Sequence, residues 1–449
     1  MRKWVDDLAE CWYLILAGFF IAVFIGVVYC YLLRCCAGPM TWIILITLNL
    51  FMYFGGWLSF DTARKYQNDI DAANTAATAA GTSADTDNME WNRNWFYVGA
   101  GLSWLSALLF TCIICCNIKK IALIVAIIKA SGRFVNDNLM ILLVPVINTL
   151  IALALLVLWF VGVIYLYSVG TITQNTSYPW SNVAWESFTE GCFYFNLFFG
   201  LWVLAFMVSF NVFVIAAATV IWFFQQGKGQ EAGAKSKRNP CCTGLCWASG
   251  YHMGSIAFGS FILAVIWLIQ IIMAYIAKKV KDSVGGNCCV KCLLCYIQCC
   301  LACFERLIQF LNKQAYIQVA LTNKNFCSSA KSAFVVIMAH MLDFSLLSWI
   351  GNAFMYIATL LIMGGSTVII WLILSQTTWI TSLSSIWFPL VLCLIQGYLI
   401  GKIFTSIYMT TCYAILQCFY VLSALNGAEA QKYAPTELKE FVEKAQSMK

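Results

Sequence analysis

The sequence offers few side chains that suit chemistry, and none of them forms a catalytic arrangement. Its only two histidines, His252 and His340, lie near the ends of apolar stretches, where a structural or interfacial role is the commoner one. No glycine-rich loop precedes a lysine and a serine in the order that phosphate binding needs. We therefore predict no catalytic residue, no cofactor and no enzymatic activity.

The 22 cysteines fall mostly in adjacent pairs and C-x-x-C runs beside apolar segments. Disulfide frameworks belong to oxidising compartments, and few of these cysteines lie in external loops. Three interpretations of Cys299, Cys300 and Cys303 stay open: packing at the membrane interface, palmitoylation and metal binding. We treat the three as lipidation candidates and predict no metal site, because zinc needs four converging ligands.

Two polar residues lie inside apolar stretches. Lys402 lies in the last long stretch, and a charge at that depth by default indicates a function. Its long stem also permits the ammonium group to reach an interface. Asn211 lies in the middle of the stretch 193–224, where its amide needs a partner because lipid offers none. Binding of a solute and bonding to a neighbouring helix both satisfy Asn211, and both interpretations stay open.

The composition places these residues in a membrane. Hydrophobic residues make up 62% of the chain and charged residues 10%, which is too little charge for a soluble protein. Long apolar stretches recur, which predicts an all-α polytopic membrane protein. We expect a bundle of about 8–10 transmembrane helices with amphipathic interfacial helices. Basic inner loops explain the net charge of +7 without any nucleic-acid partner.

Eight stretches are predicted to cross the membrane. They lie near residues 12–33, 40–60, 95–116, 141–168, 193–224, 254–277, 343–374 and 385–422. A short turn at Arg34 is expected between the first two. The acidic loops 61–94 and 169–192 are expected outside, and the basic helix 118–130 inside. The loop 169–192 also carries a glycosylation sequon at Asn175.

The Cys-rich segment 288–340 is amphipathic, and we predict that it lies along the cytosolic surface. Glu305 and Arg306 are expected to face water, opposite an apolar stripe at helical spacing. That stripe consists of Phe304, Leu307, Ile308 and Leu311. Basic residues on both sides of the stretch 254–277 mark both of its ends as internal. The chain therefore needs one crossing more, or one fewer, in the region 193–311. Either the start of the Cys-rich segment crosses, or the stretch 193–224 divides into two half-spans. A polar tail at 426–449 ends the chain.

The region 300–334 carries the most specific pattern in the sequence. It reads C-x-x-C-F-E from Cys300, then F-L-N-x-x-A-Y-I from Phe310, then K-N-F-C-x-S-A-K-x-A-F from Lys324. A second pattern, Y-H-x-G-S followed by G-S-F, begins at Tyr251. Together they resemble the signature of the choline transporter-like family. The first stretch here is similar to the family's second span, so the family's first span and large external loop are expected to be missing.

The resemblance implies a single transmembrane domain over 1–449 that transports choline or a related, ethanolamine-like organic cation by alternating access. Such a substrate is held by the faces of aromatic rings through cation–π attraction. The candidate binding residues are Asn211, Lys402, Trp104, Phe199, Trp202, Phe210, Tyr398 and Tyr408. The alternative for each ring is packing against helices or location in an interfacial belt, because aromatic residues are abundant throughout the chain.

The last stretch departs from the family pattern. Where the resemblance predicts acidic residues, this chain has Met409 and Tyr413, and Lys402 adds a positive charge. A second hypothesis is therefore a non-transporting accessory or structural subunit of a larger membrane complex. The expected partners are membrane lipids and choline or a similar cation, with other membrane subunits under the second hypothesis. The expected location is the plasma membrane or an organelle membrane, the mitochondrial one included.

Overall fold

The computed structural model describes residues 2–81, 86–173, 182–228, 239–283, 288–376, 387–425 and 435–447. Helices α1 to α4 are Arg2–Ala79, Asp87–Cys116, Ile118–Asp137 and Leu143–Ser168. Helices α5 to α8 are Ser187–Lys228, Pro240–Cys246, Met253–Ser283 and Cys288–Thr322. Helices α9 to α12 are Phe326–Ala339, Met341–Gln376, Trp387–Leu425 and Thr436–Ser447. Strands β1, Thr171–Thr173, and β2, Asn182–Ala184, form one antiparallel hairpin.

The chain is an all-α polytopic membrane protein, as the composition predicts. Eight helices among the described residues are long and apolar enough to cross a membrane: α1, α2, α4, α5, α7, α8, α10 and α11. A small β-hairpin separates α4 from α5. The sequon at Asn175 lies outside the described residues, so glycosylation stays a prediction.

Helix α1 differs from the predicted pair of spans. It runs without interruption for 78 residues, with Pro39 inside it, so the expected turn near Arg34 is not formed. Proline in a membrane helix is tolerated where a side chain satisfies the freed backbone groups. Pro39 leaves the Cys35 carbonyl without its N–H donor, and the nearby Thr41 hydroxyl donates instead to the Ala37 carbonyl at 2.7 Å. The chain then remains helical through most of the predicted loop 61–94, because α1 ends at residue 79.

Helix α5 is also continuous. Its 42 residues correspond to about 63 Å of helix, well above the roughly 30 Å of a bilayer core. The structure therefore contains no division of the stretch 193–224 into two separate helices. The short helix α6 follows the undescribed residues 229–238, and a π-helical turn at Trp247–Tyr251 comes directly after it.

Helix α8 differs in one respect from the predicted amphipathic surface helix, whose position relative to the membrane stays a prediction. Glu305 is half-buried, and its carboxylate accepts hydrogen bonds at 2.8 Å from the Trp267 indole and from the Gln270 amide, both on α7. Glu305 therefore faces α7, contrary to the expectation that it faces water, whereas Arg306 is exposed, as expected. The apolar side is the exposed one, with Phe304 50% and Leu307 52% accessible. In a membrane the outer surface of a bundle contacts lipid, so an amphipathic helix turns its polar side inward.

The described chain divides into two compact units. The larger contains residues 1–34 and 127–443. Within it, α10 and α11 approach closely at a pair of glycines one turn apart on α11. A Cβ added at Gly401 would lie 3.1 Å from the Thr359 Cα, and Gly397 is similarly crowded by α10. Small residues spaced in this way let two membrane helices pack backbone to backbone.

The other unit contains residues 35–126. Here the second half of α1 lies beside α2, and hydrogen bonds to main-chain carbonyls join them. Ser103 donates to the Met52 carbonyl at 2.8 Å, and the Trp104 indole donates to the Tyr53 carbonyl at 3.3 Å. Trp104, a predicted binding residue, therefore serves helix packing within this unit.

We expect α5 to cross the membrane once. A protease-sensitive epitope inserted at residue 178 and the same epitope inserted at residue 233 should show opposite protection in one preparation of sealed, oriented vesicles. The reason is that the acidic loop before α5 and the basic loop after it are predicted on opposite sides. Detergent lysis of the same vesicles, which must expose both epitopes, is the control. Equal protection of both epitopes before lysis would contradict a single crossing.

Candidate functional site

A cavity of about 560 Å³ opens among α5, α7, α8, α10 and α11 in the larger unit. Its aromatic walls are Trp267, Phe310, Tyr316 and Tyr413. Its uncharged polar groups include Gln309, Asn312, Asn352 and Thr405. Its charged groups are Arg306, Lys313 and Lys402, and none of the described residues that line it is Asp or Glu. Cavities of this size with an apolar lining and a few convergent polar groups are typical of small-molecule sites.

Helical spacing places these side chains together. On α8, Arg306, Gln309 and Lys313 are three and four residues apart, so they lie on one face of that helix. On α11, Lys402 and Met409 are seven residues apart and also share a face. The sequence contains this periodicity, but the polar face of α8 was interpreted as the water-exposed side of a surface helix. That interpretation missed Arg306, Gln309 and Lys313 as cavity residues.

The two sequence patterns of the resemblance meet at the base of the cavity. Asn312 donates through its amide to the Gly259 carbonyl at 2.9 Å, and the Tyr316 hydroxyl donates to the Ile256 carbonyl at 3.3 Å. Both bonds join α8 to α7. Because buried polar groups need partners in an apolar surrounding, these bonds hold the polar face of α8 in a defined register against α7.

Two lysine ammonium groups lie over tyrosine rings. The Lys313 Nζ is 5.6 Å from the ring centroid of Tyr413, and the Lys402 Nζ is 5.3 Å from the ring centroid of Tyr398. Both distances are within the usual limit of about 6 Å for a cation–π contact. Lys402 therefore lines the cavity with its ammonium group against an aromatic face, but the side chain is also exposed, so both interpretations of its charge stay open.

Of the eight predicted binding residues, Lys402 belongs to the cavity lining and the other seven do not, within the described part of the chain. Asn211 lies close in sequence, because Ser209 and Val212 on the same helix line the cavity. The Asn211 Oδ1 is buried and has no hydrogen-bond partner among the described residues. Neither of the two interpretations of this amide is thereby decided.

Most of the predicted rings make structural contacts. Tyr408 is buried, and its hydroxyl donates to the Ile128 carbonyl on α3. The Trp202 indole donates to the Ala257 carbonyl on α7 at 3.2 Å. The two rings are thus fixed by hydrogen bonds to main chain, as buried Tyr and Trp side chains usually are. Phe210 packs against another ring of its own helix.

Two further candidates lie at other surfaces. Phe199 is 44% exposed and lines a separate cavity of about 350 Å³ between α4 and α5. Tyr398 is 43% exposed and contacts the cavity region through Lys402. Asn211, Tyr398 and Tyr408 are not among the residues that line the cavity, and their part in binding a cation stays a prediction. The rings that line the cavity are different ones.

The two histidines have structural surroundings. His252 is buried beside Phe213, with the ring centroids 5.3 Å apart, and burial lowers the pKa of its imidazole. His252 therefore favours the neutral form at pH 7. His340 stacks on Tyr420 at 3.6 Å, and the Tyr420 hydroxyl donates to the Asp343 carboxylate at 2.6 Å. Both contacts join α11 to the start of α10.

The cysteines proposed for lipidation are exposed. Cys299, Cys300 and Cys303 occupy neighbouring turns of α8. Acylation of these thiols stays a prediction. Among the described residues, no three His, Cys, Asp or Glu side chains lie close enough together to hold a metal ion.

Comparison with known proteins gives one consistent result. The family model described as "Plasma-membrane choline transporter" matches residues 101–421. Choline transporter-like protein 2 of Xenopus laevis is 26% identical over 464 residues, which is 93% of this chain and 63% of that protein. Choline transporter-like protein 4 of Danio rerio is 25% identical, over 95% of this chain and 64% of that protein.

Human choline transporter-like protein 2 is also similar. It is 24% identical over 98% of this chain and 67% of its own length. The chain thus spans about two thirds of the length of the curated relatives that it matches. The matched region includes every helix that contributes to the cavity.

The contact between α7 and α8 is open to a stability test. A Cβ at Gly259 would clash with the Tyr316 hydroxyl on α8 and would lie 2.6 Å from the Phe326 ring on α9, which packs against Tyr316. We expect Gly259→Ala to destabilise the folded protein by about 1–3 kcal/mol through overpacking. The measurement is the thermal unfolding midpoint of the purified protein in detergent.

Gly254→Ala is the matched control for this test. Gly254 lies on the same helix, and a Cβ there would meet no atom within 4 Å. Its midpoint should equal or exceed that of the wild type, because alanine is the better helix former. Equal midpoints for Gly259→Ala and Gly254→Ala would show that the α7–α8 contact is not close-packed at this point.

Proposed function

The chain belongs to the plasma-membrane choline transporter family, and from this premise we propose that it moves choline or a related organic cation across a membrane. The observation that carries the proposal is the cavity of about 560 Å³ with aromatic walls, set among helices long enough to cross a membrane. The chain spans about two thirds of the length of its relatives, so transport by this chain is a proposal.

The chemistry of the cavity walls supports a compound with a choline head. A quaternary ammonium group has no N–H donor, so aromatic faces are the groups that hold it. Trp267, Phe310 and Tyr413 supply such faces. An ethanolamine-type ammonium needs hydrogen-bond acceptors in addition, and Gln309 and Asn352, whose side-chain amides carry an acceptor oxygen, line the same space.

We propose alternating access as the mechanism. The tightly packed pair α10 and α11 forms one wall of the cavity, and α5, α7 and α8 form the rest. Movement of one group of helices against the other would open the cavity to each side in turn. Counterflow separates this mechanism from a pore: unlabelled choline inside liposomes should accelerate the entry of labelled choline, which a pore does not do.

The competing hypothesis is an accessory subunit without transport of its own. It predicts a partner that copurifies in fixed stoichiometry, and no labelled choline or ethanolamine entering liposomes that hold the purified chain. Uptake above that of protein-free liposomes, saturable and competed by unlabelled choline, would reject the accessory hypothesis.

Tyr413 is the ring to test in the uptake experiment. Tyr413→Leu should raise the half-saturation concentration of choline by about tenfold, which corresponds to roughly 1.4 kcal/mol of lost cation–π attraction. Tyr413→Phe keeps an aromatic face and should stay within about threefold of the wild type. The measurement is the concentration dependence of initial uptake, with the thermal midpoint of each variant to show that it is folded.

Tyr356→Leu is the matched control for Tyr413→Leu. Tyr356 is on α10, is 68% exposed and does not line the cavity. Its substitution should leave the half-saturation concentration unchanged. Equal effects of the two leucine substitutions, or a Tyr413→Phe variant as impaired as Tyr413→Leu, would remove the ring from the proposed binding site.

A further inference from the structure

The charge of the cavity is the feature that choline alone does not explain. Arg306, Lys313 and Lys402 line it, and no Asp or Glu does so among the described residues. None of the three makes an ion pair within 4 Å in the described part of the chain. Glu305 does not line the cavity, but its carboxylate accepts hydrogen bonds from Trp267 and Gln309, which do, and from Gln270. Its single negative charge therefore lies beside the cavity and offsets only part of the three positive ones.

Like charges that lie close together repel each other, although Arg306 and Lys402 are exposed and Lys313 is half-buried, so water screens part of this repulsion. Repulsion between two unit charges grows as the effective dielectric constant falls from that of water toward that of a protein interior. Lys313 and Lys402 reduce this cost by lying over the rings of Tyr413 and Tyr398. An aromatic face offsets only part of an ammonium charge, so the cavity retains a net positive character that favours an anion.

A bare quaternary ammonium fits this arrangement poorly. It brings one more positive charge into the cavity, and at Tyr413 it must displace the Lys313 ammonium from the ring. A phosphate group has the opposite effect. A phosphomonoester carries about 1.5 to 2 negative charges at neutral pH and accepts charge-assisted hydrogen bonds from Lys and Arg. Once a phosphate draws the lysines away, the ring of Tyr413 is free to hold an ammonium group.

We propose that the cavity binds a phosphorylated choline zwitterion, with its phosphate among Arg306, Lys313 and Lys402 and its quaternary ammonium against the rings of Trp267, Phe310 and Tyr413. The inference rests on the proposed function, since it takes this cavity as the place where the substrate binds. Free phosphocholine and the headgroup of phosphatidylcholine share this chemistry. The cavity volume of about 560 Å³ is in the range that accommodates either group.

The test compares two ligands on the purified full-length chain in a phosphate-free maltoside detergent. Equilibrium binding of labelled phosphocholine should be at least about tenfold tighter than that of labelled choline, because the phosphate gains charge-assisted bonds. Lys402→Met and the double variant Lys313→Met, Lys402→Met should each weaken phosphocholine binding and strengthen choline binding. This crossed change cannot arise from loss of folding, which weakens both ligands.

Lys278→Met is the matched control. Lys278 is exposed on α7 and does not line the cavity, so the same chemical change there should alter neither affinity. Wild-type protein that binds choline as tightly as phosphocholine, or lysine variants that weaken both ligands or neither, would overturn the proposal. The wild-type comparison stands by itself if a variant does not fold.

Nanodiscs distinguish the two sources of the zwitterion. If the ligand is a lipid headgroup, phosphatidylcholine nanodiscs should abolish the binding of added phosphocholine, whereas maltoside should preserve it. If the ligand is the free solute, binding should be the same in both. Choline uptake without any phosphocholine binding would leave the proposed function intact and refute the zwitterion. Phosphocholine binding without uptake of choline or phosphocholine would support the zwitterion and refute the proposed transport function.

Discussion

The cavity depends on one constraint, that α8 turns its polar side toward the other helices. Lipid offers no hydrogen bonds, so each amide and carboxylate on that side needs a protein partner. Asn312 finds the Gly259 carbonyl, and Glu305 finds the side chains of Trp267 and Gln270. These bonds fix the rotation of α8 about its axis. That rotation in turn directs Arg306, Gln309 and Lys313 into the space between α8 and α11.

The packing of α10 against α11 supplies the opposite wall. Gly397 and Gly401 allow the two backbones to approach, and the residues after them on α11 then face the space that α8 borders. Lys402 follows Gly401 directly, so its long side chain leaves the crowded face beside Thr359 and extends to the ring of Tyr398. The positions of the cationic groups therefore follow from where small residues permit helix contact.

Composition and apolar run length were sufficient to predict the class of fold and most of the long apolar helices, because a membrane imposes helices of about 20 apolar residues. Local signals misled at two places. The sequence around Pro39 has the appearance of a turn, but the helix continues through it, as membrane helices with an internal proline can do. The polar stripe of α8 was assigned to water, although polar groups facing a cavity give the same periodicity.

Lys402 could be identified from the sequence because a charge inside an apolar run stands out without any knowledge of its neighbours in space. The role of Tyr408 could not be predicted, because it depends on a contact with α3, which is distant in sequence.

The same aromatic rings that attract a choline head attract the lysines of the protein itself. A ring face holds one cation at a time, so the occupant depends on what else stabilises each competitor. With no carboxylate lining the described cavity, Lys313 has only the Tyr413 ring to offset its charge. A substrate that brings its own anionic group gives the lysine a better partner and vacates the ring in the same step. Aromatic walls and a positive lining, which conflict for a simple cation, are then complementary parts of one site.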